Sequence, residues 1–185
     1  MAADEPAHEV LLSDGNIEVR RYAPSIVAEV KVSATSRDPA SSGFQPLADY
    51  IFGNNRPREK IAMTAPVARQ RSGQTIDMTS PVARSPGTEG GDWTVQFFMP
   101  PEWTMETLPV PNNPDVTLRP VPARTLVAIR FSGSGGSGAQ ARHWELLQTW
   151  LVDKGYKAVG APIFAGYDPP WTAPFLRRNE VMIEV

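Results

Sequence analysis

The stretch IEVRRYAPSIVAEVKV, residues 17–32, decides the class of fold. Residues 17–22 alternate apolar with polar side chains, and residues 26–32 do so again beyond Pro24. Alternation with a period of two, carried by β-branched residues, is typical of half-buried strands. The turn signal SDGN at 13–16 joins residues 10–12 to the first strand and predicts a hairpin.

A change of period after Ser42 predicts a helix. Phe44, Leu47, Ala48 and Ile51 follow one another at i, i+3, i+4 and i+7, which places them on one helical face. Ser41 or Ser42 serves as the cap in this interpretation, and the Gly-Asn-Asn sequence at 53–55 ends the helix.

The rest of the chain repeats this alternation of strands and a helix. Two nearly identical segments, 61–69 and 76–84, predict the arms of a hairpin, and 93–99 predicts the next strand. Seven prolines in 100–124 argue against a regular helix or a central strand there and favour an extended crossover. Beyond it we predict a strand at 125–131, a glycine–serine link at 133–138, a helix at 139–154 ended by Gly155, a hairpin-like stretch at 163–171 and a closing strand at 180–185.

Both halves run strand, helix, hairpin, strand in the same order, which indicates an internal duplication. Two sheets that each carry one helix must meet or close to cover their apolar faces. The predicted fold is therefore α+β, a distorted antiparallel β-barrel built from two βαββ repeats with two flanking helices. We expect a flexible tail at 1–9 and a single domain at 10–185, with repeats at about 10–100 and 125–185.

Composition excludes several kinds of partner. At 185 residues, 41% hydrophobic and 21% charged, the chain has the make-up of one globular domain. A net charge of −2 without a basic stripe argues against nucleic acid, and no apolar run approaches the ~20 residues that span a bilayer. The absence of cysteine removes thiolate metal sites and iron–sulfur clusters.

The N-terminus leaves the compartment open. Residues 1–6 lack the basic and apolar regions of a signal peptide. The sequence AADEP at 2–6 also suits the start of an exported protein whose leader has been removed. The two expectations are a periplasmic or exported protein in that case, and a cytoplasmic one otherwise.

Several motifs together resemble the SOUL heme-binding family. They are GNIEVRRY at 15–22, PLADYIFGNN at 46–55, KIAMTAPV at 60–67, AGYDPP at 165–170 and RRNEV at 177–181. The resemblance implies a distorted barrel of two βαββ halves, similar to the effector-binding domains of gyrase-inhibitor-like proteins. It also implies an affinity for heme or another porphyrin, held without a covalent bond in an apolar groove beside the first helix, with basic groups near the propionates.

Candidate groove residues follow from this resemblance. Phe44, Leu47, Ala48 and Ile51 face such a groove from the first helix. Met63, Met78 and Met99 either line a pocket for a planar ligand or fill the core. Lys60, Arg177 and the neighbouring Arg178 either meet carboxylates such as propionates or are surface charges or partners of Glu180. Trp171 and Phe175 either cap the groove or anchor their loop.

His143 is the candidate metal ligand. On a helical wheel it falls among Ala139, Leu147, Trp150 and Leu151, the apolar side of the second helix. Its imidazole is either a heme-iron ligand or a histidine at the edge of the core, hydrogen-bonded to a neighbour.

The sequence therefore predicts a non-catalytic protein that binds heme or another tetrapyrrole, as a carrier, buffer or sensor. The predicted partner is a planar hydrophobic small molecule. No Gly-x-Ser-x-Gly elbow, His-Glu-x-x-His pair or phosphate-binding loop is present, so no catalytic residue is assigned. The alternatives are a module for generic apolar ligands or protein partners, and a small-molecule hydrolase of the gyrase-inhibitor-like type.

Overall fold

The computed structural model describes residues 5–33, 35, 39–57, 73–77, 79, 81–86, 92–168 and 171–185. In chain order these residues form β1 (His8–Asp14), β2 (Ile17–Tyr22), β3 (Ser25–Val32), α1 (Pro39–Ile51), β4 (Asn55–Arg56), β5 (Val82–Pro86), β6 (Trp93–Phe98), β7 (Val110–Pro111), β8 (Thr117–Val121), β9 (Arg124–Ser132), α2 (Ser137–Lys154), β10 (Val159–Gly166), the short 3-10 helix η1 (Pro174–Leu176) and β11 (Arg178–Glu184).

Nine of these strands form one antiparallel sheet. Its order is β1-β2-β9-β11-β10-β5-β6-β3-β8, and β4 pairs separately with β7. The predicted combination of an antiparallel sheet with two helices is confirmed.

Two short connections curl this sheet. Only Ala23 and Pro24 join β2 to β3, although five strands lie between β2 and β3 in the sheet. In a flat sheet six steps of strand spacing span about 29 Å, whereas the chain from Tyr22 to Ser25 reaches at most about 11 Å. The connection from β8 to β9, through Pro122 and Ala123, imposes the same constraint.

The predicted barrel is nevertheless not closed. Within the described residues, β1 and β8 remain the two edges of the sheet and do not pair with each other. Within the predicted extended crossover, β8 pairs with β3 and contains Pro120, but it lies at the edge of the sheet and is not a central strand. An edge strand is where a proline is tolerated, because only one side of its backbone is hydrogen-bonded.

The two halves share one pattern of pairing. In the first half β3 pairs with β6 and β6 with β5; in the second, β9 pairs with β11 and β11 with β10. Along the chain, the helix of each half follows the first of these strands and precedes the other two: α1 lies between β3 and β5, and α2 lies between β9 and β10. The internal duplication itself stays a prediction.

Each helix covers one part of the convex face of the sheet. α1 packs on β3 and β6, and α2 packs on β9 and β11. The buried apolar residues under α1 form what we call the α1 cluster: Ala28, Val30, Val32, Leu47, Tyr50, Ile51, Ile76, Val95, Phe97, Met99, Leu108 and Val116. Those under α2 form the α2 cluster: Ile17, Val19, Val127, Ile129, Phe131, Leu147, Leu151, Val181 and Ile183.

Most predicted elements lie where the sequence indicated. α2 begins two residues earlier than expected and ends before Gly155, whose φ of 76° and N–H bonds to Leu151 O and Val152 O terminate it. β1 begins at His8, inside the predicted tail. The first arm of the predicted hairpin, 61–69, lies outside the described residues. Among the described residues neither helix is both long and apolar enough to cross a membrane.

Candidate functional site

The concave face of the curled sheet carries a group of charged side chains. Because side chains alternate along a strand, the residues between those of the α2 cluster project to this opposite face. They include Glu18, Arg20 and Tyr22 from β2, Arg130 from β9, and Arg178 and Glu180 from β11. On the same face, Leu126, Ala128, Ala165 and Met182 form an apolar floor.

Glu180 is the centre of this group. Arg20 holds it with two parallel bonds, Nη1 to Oε2 at 2.7 Å and Nη2 to Oε1 at 2.9 Å. Arg178 donates to Oε1 from Nε at 3.0 Å and from Nη2 at 2.8 Å, and the Tyr167 hydroxyl donates to Oε2 at 2.6 Å. Glu180 is 1% exposed and Arg20 is 3% exposed, so the pair is removed from water and must be satisfied internally.

The neighbouring charges keep this buried carboxylate ionised. Burial alone would raise the pKa of Glu180, but the hydrogen bonds and charge of Arg20, with Tyr167 and Arg178, outweigh it and hold the pKa below its ordinary value. Burial alone would lower the pKa of Arg20, but the hydrogen bonds and charge of Glu180 outweigh burial and raise that pKa. The pair is therefore ionised at neutral pH, and Glu180 keeps its charge to a lower pH than an ordinary glutamate does.

Two neutral tyrosines complete the group: Tyr167 donates to Glu180, and Tyr22 accepts a hydrogen bond from Arg20. Burial raises the pKa of Tyr167, and the negative charge of Glu180 adds to the effect. Burial also raises the pKa of Tyr22, whose hydroxyl lies 3.2 Å from Arg20 Nη1. The guanidinium of Arg178 stacks 3.9 Å from the centre of the Tyr167 ring. Five donor contacts saturate Glu180, so its carboxylate is poorly suited to accept a proton from a substrate.

Two cavities border this group. A small apolar one of about 20 Å³, lined by Tyr22, Phe98, Val121, Leu126, Ile163 and Met182 among others, has space for about one water molecule. A polar cleft of about 460 Å³ is lined by Glu5, Glu18, Arg20, Arg130 and Arg178 together with His8 and neighbouring residues. The concave face therefore offers polar space and little apolar space.

Comparison with known proteins decides the family. The family model described as SOUL heme-binding protein matches residues 3–184. The chain belongs to the SOUL heme-binding protein family. A mouse (Mus musculus) relative, Heme-binding protein 2, is 27% identical over 172 residues, which cover 91% of this chain and 78% of that protein.

Solved structures share the fold of this SOUL protein at low sequence identity. The EcmrR C-terminal domain matches with a TM-score of 0.61 and 13% identity, over 91% of this chain and 95% of that one. A hydrolase from Listeria innocua matches with a TM-score of 0.57 and 12% identity, over 94% and 93% of the two chains. In an EcmrR–DNA complex the match has a TM-score of 0.63 and 12% identity and covers 90% of this chain but 56% of the EcmrR chain. At such identities the likeness concerns the fold alone.

The groove that the SOUL resemblance implies beside α1 is not visible among the described residues. Leu47 and Ile51 are 0% and 1% exposed inside the α1 cluster, and Ala48 and Met99 are buried with them. Phe44, which packs edge-on against Phe97 at 5.2 Å, is the predicted α1 residue with accessible surface. Lys60, Met63 and Met78 lie outside the described residues.

His143 lies half-buried at the edge of the α2 cluster. Its ring stacks on Phe131 with centres 4.0 Å apart, and Nδ1 lies 2.7 Å from Ala139 O. A carbonyl oxygen only accepts, so Nδ1 carries a proton, and in the neutral imidazole Nε2 then has the lone pair. This geometry matches the alternative of a hydrogen-bonded histidine at the edge of the core, and it also leaves the nitrogen that binds metals available.

The segment after β10 carries the most exposed aromatic residues of the predicted site. Trp171 is 84% exposed and Phe175 is 74% exposed, and Leu176 between Phe175 and Arg177 is 66% exposed. Gly133 N–H donates to Pro174 O at 2.9 Å, which ties η1 to the end of β9. We call Trp171, Phe175 and Leu176 the aromatic patch.

The two predicted arginines behave differently. Arg177 donates from Nε to Thr172 O at 2.7 Å, within its own loop. Arg178 pairs with Glu180, which was one of the alternatives that the sequence left open.

Sequence reasoning missed the group around Glu180. Arg20, Tyr22 and Tyr167 lie inside the quoted motifs but are not among the predicted site residues, because alternation along a strand does not reveal that a charged side chain is buried. The available signal was that charges of both signs occupy the same face of β2 and β11, strands whose other face supplies Ile17, Val19, Val181 and Ile183 to the α2 cluster. A curved sheet turns such a face into an interior, where opposite charges must pair.

Proposed function

We propose that this SOUL protein binds heme or another tetrapyrrole without catalysing a reaction on it. The observation that carries the proposal is the family match over nearly the whole chain. The absence of a catalytic motif in the sequence and the saturation of Glu180 are consistent with binding alone.

We assign the ring of the ligand to the aromatic patch. Large contiguous apolar surfaces on soluble proteins mark places where something binds. Trp171, Phe175 and Leu176 are all exposed within six residues of chain, and we infer that together they form such a surface. Flat aromatic side chains lose little entropy on contact with a planar ring, which suits them to a porphyrin.

His143 fits the role of an iron ligand at the same end of β9. Its Nδ1 donates to Ala139 O and its ring is held against Phe131, so Nε2 has a fixed direction and a free lone pair. A heme iron would accept that lone pair and so be coordinated by Nε2. η1 is bonded to Gly133, two residues beyond Phe131, and so lies near this histidine along the strand.

Two further exposed aromatic residues lie on α1 and directly after it. Phe44 is 38% exposed and Phe52, at the end of α1, is 65% exposed. Leu47 and Ile51 have no surface to offer a ligand, which is why we prefer the aromatic patch to the predicted groove.

A hemin titration followed at the Soret band tests the proposal. We expect saturable binding to the wild-type protein, and at least about tenfold weaker binding for the double variant Trp171→Ala, Phe175→Ala, since each ring removes a large stacked contact. Phe52→Ala is the control, because it deletes a ring that is 65% exposed and lies outside the patch, and it should leave the affinity unchanged.

The variants also separate the parts of the proposal. His143→Ala should change the spin state of the bound iron while leaving most of the affinity, which only ligation predicts. A Soret change no larger than that of an unrelated globular protein would refute tetrapyrrole binding. Weakening by Phe44→Ala or Phe52→Ala, with no effect of the patch variant, would move the site to α1.

The aromatic patch also supports one alternative, an interaction module for apolar partners. A tryptophan that is 84% exposed lies on an open surface instead of in a slot. Two results together would favour this alternative. The protein would bind a hydrophobic dye and lose that binding in the patch variant, and its Soret change with hemin would be no larger than that of an unrelated globular protein.

A further inference from the structure

The polar cleft at the end of the concave face is distinct from the aromatic patch. Its volume is about 460 Å³, and its walls come from β1, β2, β9, β11 and the segment before β1. Arg20, Arg130 and Arg178 contribute cationic groups, whereas Glu18 and Glu5 contribute carboxylates. A cleft of this size holds a small organic molecule.

Most of the charge in the cleft is already paired on the sheet. Arg20 binds Glu18 through Nε at 2.7 Å and Glu180 through both terminal nitrogens. Arg178 uses Nε and Nη2 for Glu180. Arg130 is exposed and forms no ion pair with another described residue.

Glu5 supplies the remaining carboxylate from outside the sheet. Its Oε1 lies 2.5 Å from Arg178 Nη1, the nitrogen that does not contact Glu180. Glu5 precedes β1 in a segment that His8 holds down by packing on Tyr22, with ring centres 4.9 Å apart. Without Glu5, two cationic positions of the cleft have no carboxylate partner among the described residues, namely Arg178 Nη1 and the guanidinium of Arg130.

We propose that this cleft binds a small dicarboxylate, and that Glu5 occupies the position of one ligand carboxylate when the cleft is empty. One carboxylate replaces Glu5 on Arg178, and the other pairs with Arg130. In the antiparallel register Arg130 lies opposite Glu180 and Arg178 lies opposite Ser132, so the two guanidinium groups rise from neighbouring strands on one face. Guanidinium groups recognise carboxylates by parallel hydrogen bonds, which favours carboxylates over spherical anions.

Glu5 is then an intramolecular competitor. A ligand binds only the fraction of molecules in which Glu5 has left Arg178, so the apparent dissociation constant is divided by that fraction. Removing the competing carboxylate should therefore tighten binding, and removing Arg130 should weaken it.

Calorimetric titration of the whole protein with succinate and glutarate, against sodium chloride at equal ionic strength, tests the proposal. We expect saturable binding that is about tenfold tighter in Glu5→Gln and about tenfold weaker in Arg130→Gln. Glu9→Gln is the matched control, since Glu9 pairs with the exposed Arg21 away from the cleft and should not change the affinity.

Each outcome decides the inference. No saturation by either dicarboxylate, or equal affinity in wild type and Glu5→Gln, overturns it. Arg130 is on the surface, so its variant is expected to fold, and an unchanged unfolding midpoint verifies this. The probes contain no ring, so their failure leaves tetrapyrrole binding untouched, and failure of the hemin titration leaves this inference untouched.

Discussion

The two faces of β2, β9 and β11 are made by the same strands and contain opposite kinds of residue. The convex face presents Val19, Val127 and Val181 to α2, and the concave face presents Arg20 and Glu180 to each other. Both faces are shielded from water, the first by a helix and the second by the curvature of the sheet. The difference teaches that alternation along a strand identifies two faces, but not which of them is exposed.

The largest effect is expected from removing the buried acceptor of the concave face. Glu180→Ala removes both parallel bonds to the buried Arg20 and leaves it with the partly exposed Glu18 as its ion-pair partner, so it should lower the free energy of unfolding by about 3–5 kcal/mol. Urea unfolding measures this loss. Glu184→Ala is the control on the same strand, because its contact with Arg124 is 3.8 Å long and its side chain is 42% exposed. There the loss should stay below about 1 kcal/mol.

Equal losses for these two variants would contradict the comparison. They would mean that Arg20 finds water once Glu180 is gone, and that the concave face is an ordinary solvated surface.

On the convex face the expected effect is somewhat smaller and has a different cause. Leu147→Ala removes a 0% exposed side chain from the α2 cluster and should cost about 3 kcal/mol through lost burial and a residual cavity. Leu146→Ala is the adjacent control in α2; Leu146 is 57% exposed, and its loss should change stability by less than about 0.5 kcal/mol. Urea midpoints that coincide for these two variants would show that α2 packs in another rotation.

The sequence was sufficient for the convex face, because the information is local. Helical spacing of Phe44, Leu47 and Ile51 predicted α1, and the glycine after Lys154 predicted the end of α2. Both depend on neighbours within a few residues, where period and cap chemistry act.

The concave face depends on contacts that the local pattern does not contain. Arg20 and Glu180 are 160 residues apart and meet only because β9 lies between β2 and β11. No groove beside α1 is visible in the part of the chain that the structure describes, for a related reason. Periodicity identified the apolar side of α1. It did not indicate which residues cover that side, and Leu108 from the crossover is one of them.

The pH dependence of folding stability gives a smaller effect, which is expected from the concave face and not from the convex face. Since the pKa of Glu180 lies below its ordinary value of 4.5 in the folded state, its ionised form stabilises the fold. That contribution is complete above pH 4.5 and is lost as the pH falls through the lowered pKa. Wild type should therefore lose stability more steeply below pH 4.5 than Glu180→Gln, in urea unfolding at a series of pH values from 7 to 3. Leu147→Ala changes no titrating group, so its curve should run parallel to that of wild type. If Glu180→Gln instead keeps the wild-type slope, other carboxylates cause the loss of stability in acid. The Arg20–Glu180 pair would then contribute nothing to the pH dependence of stability.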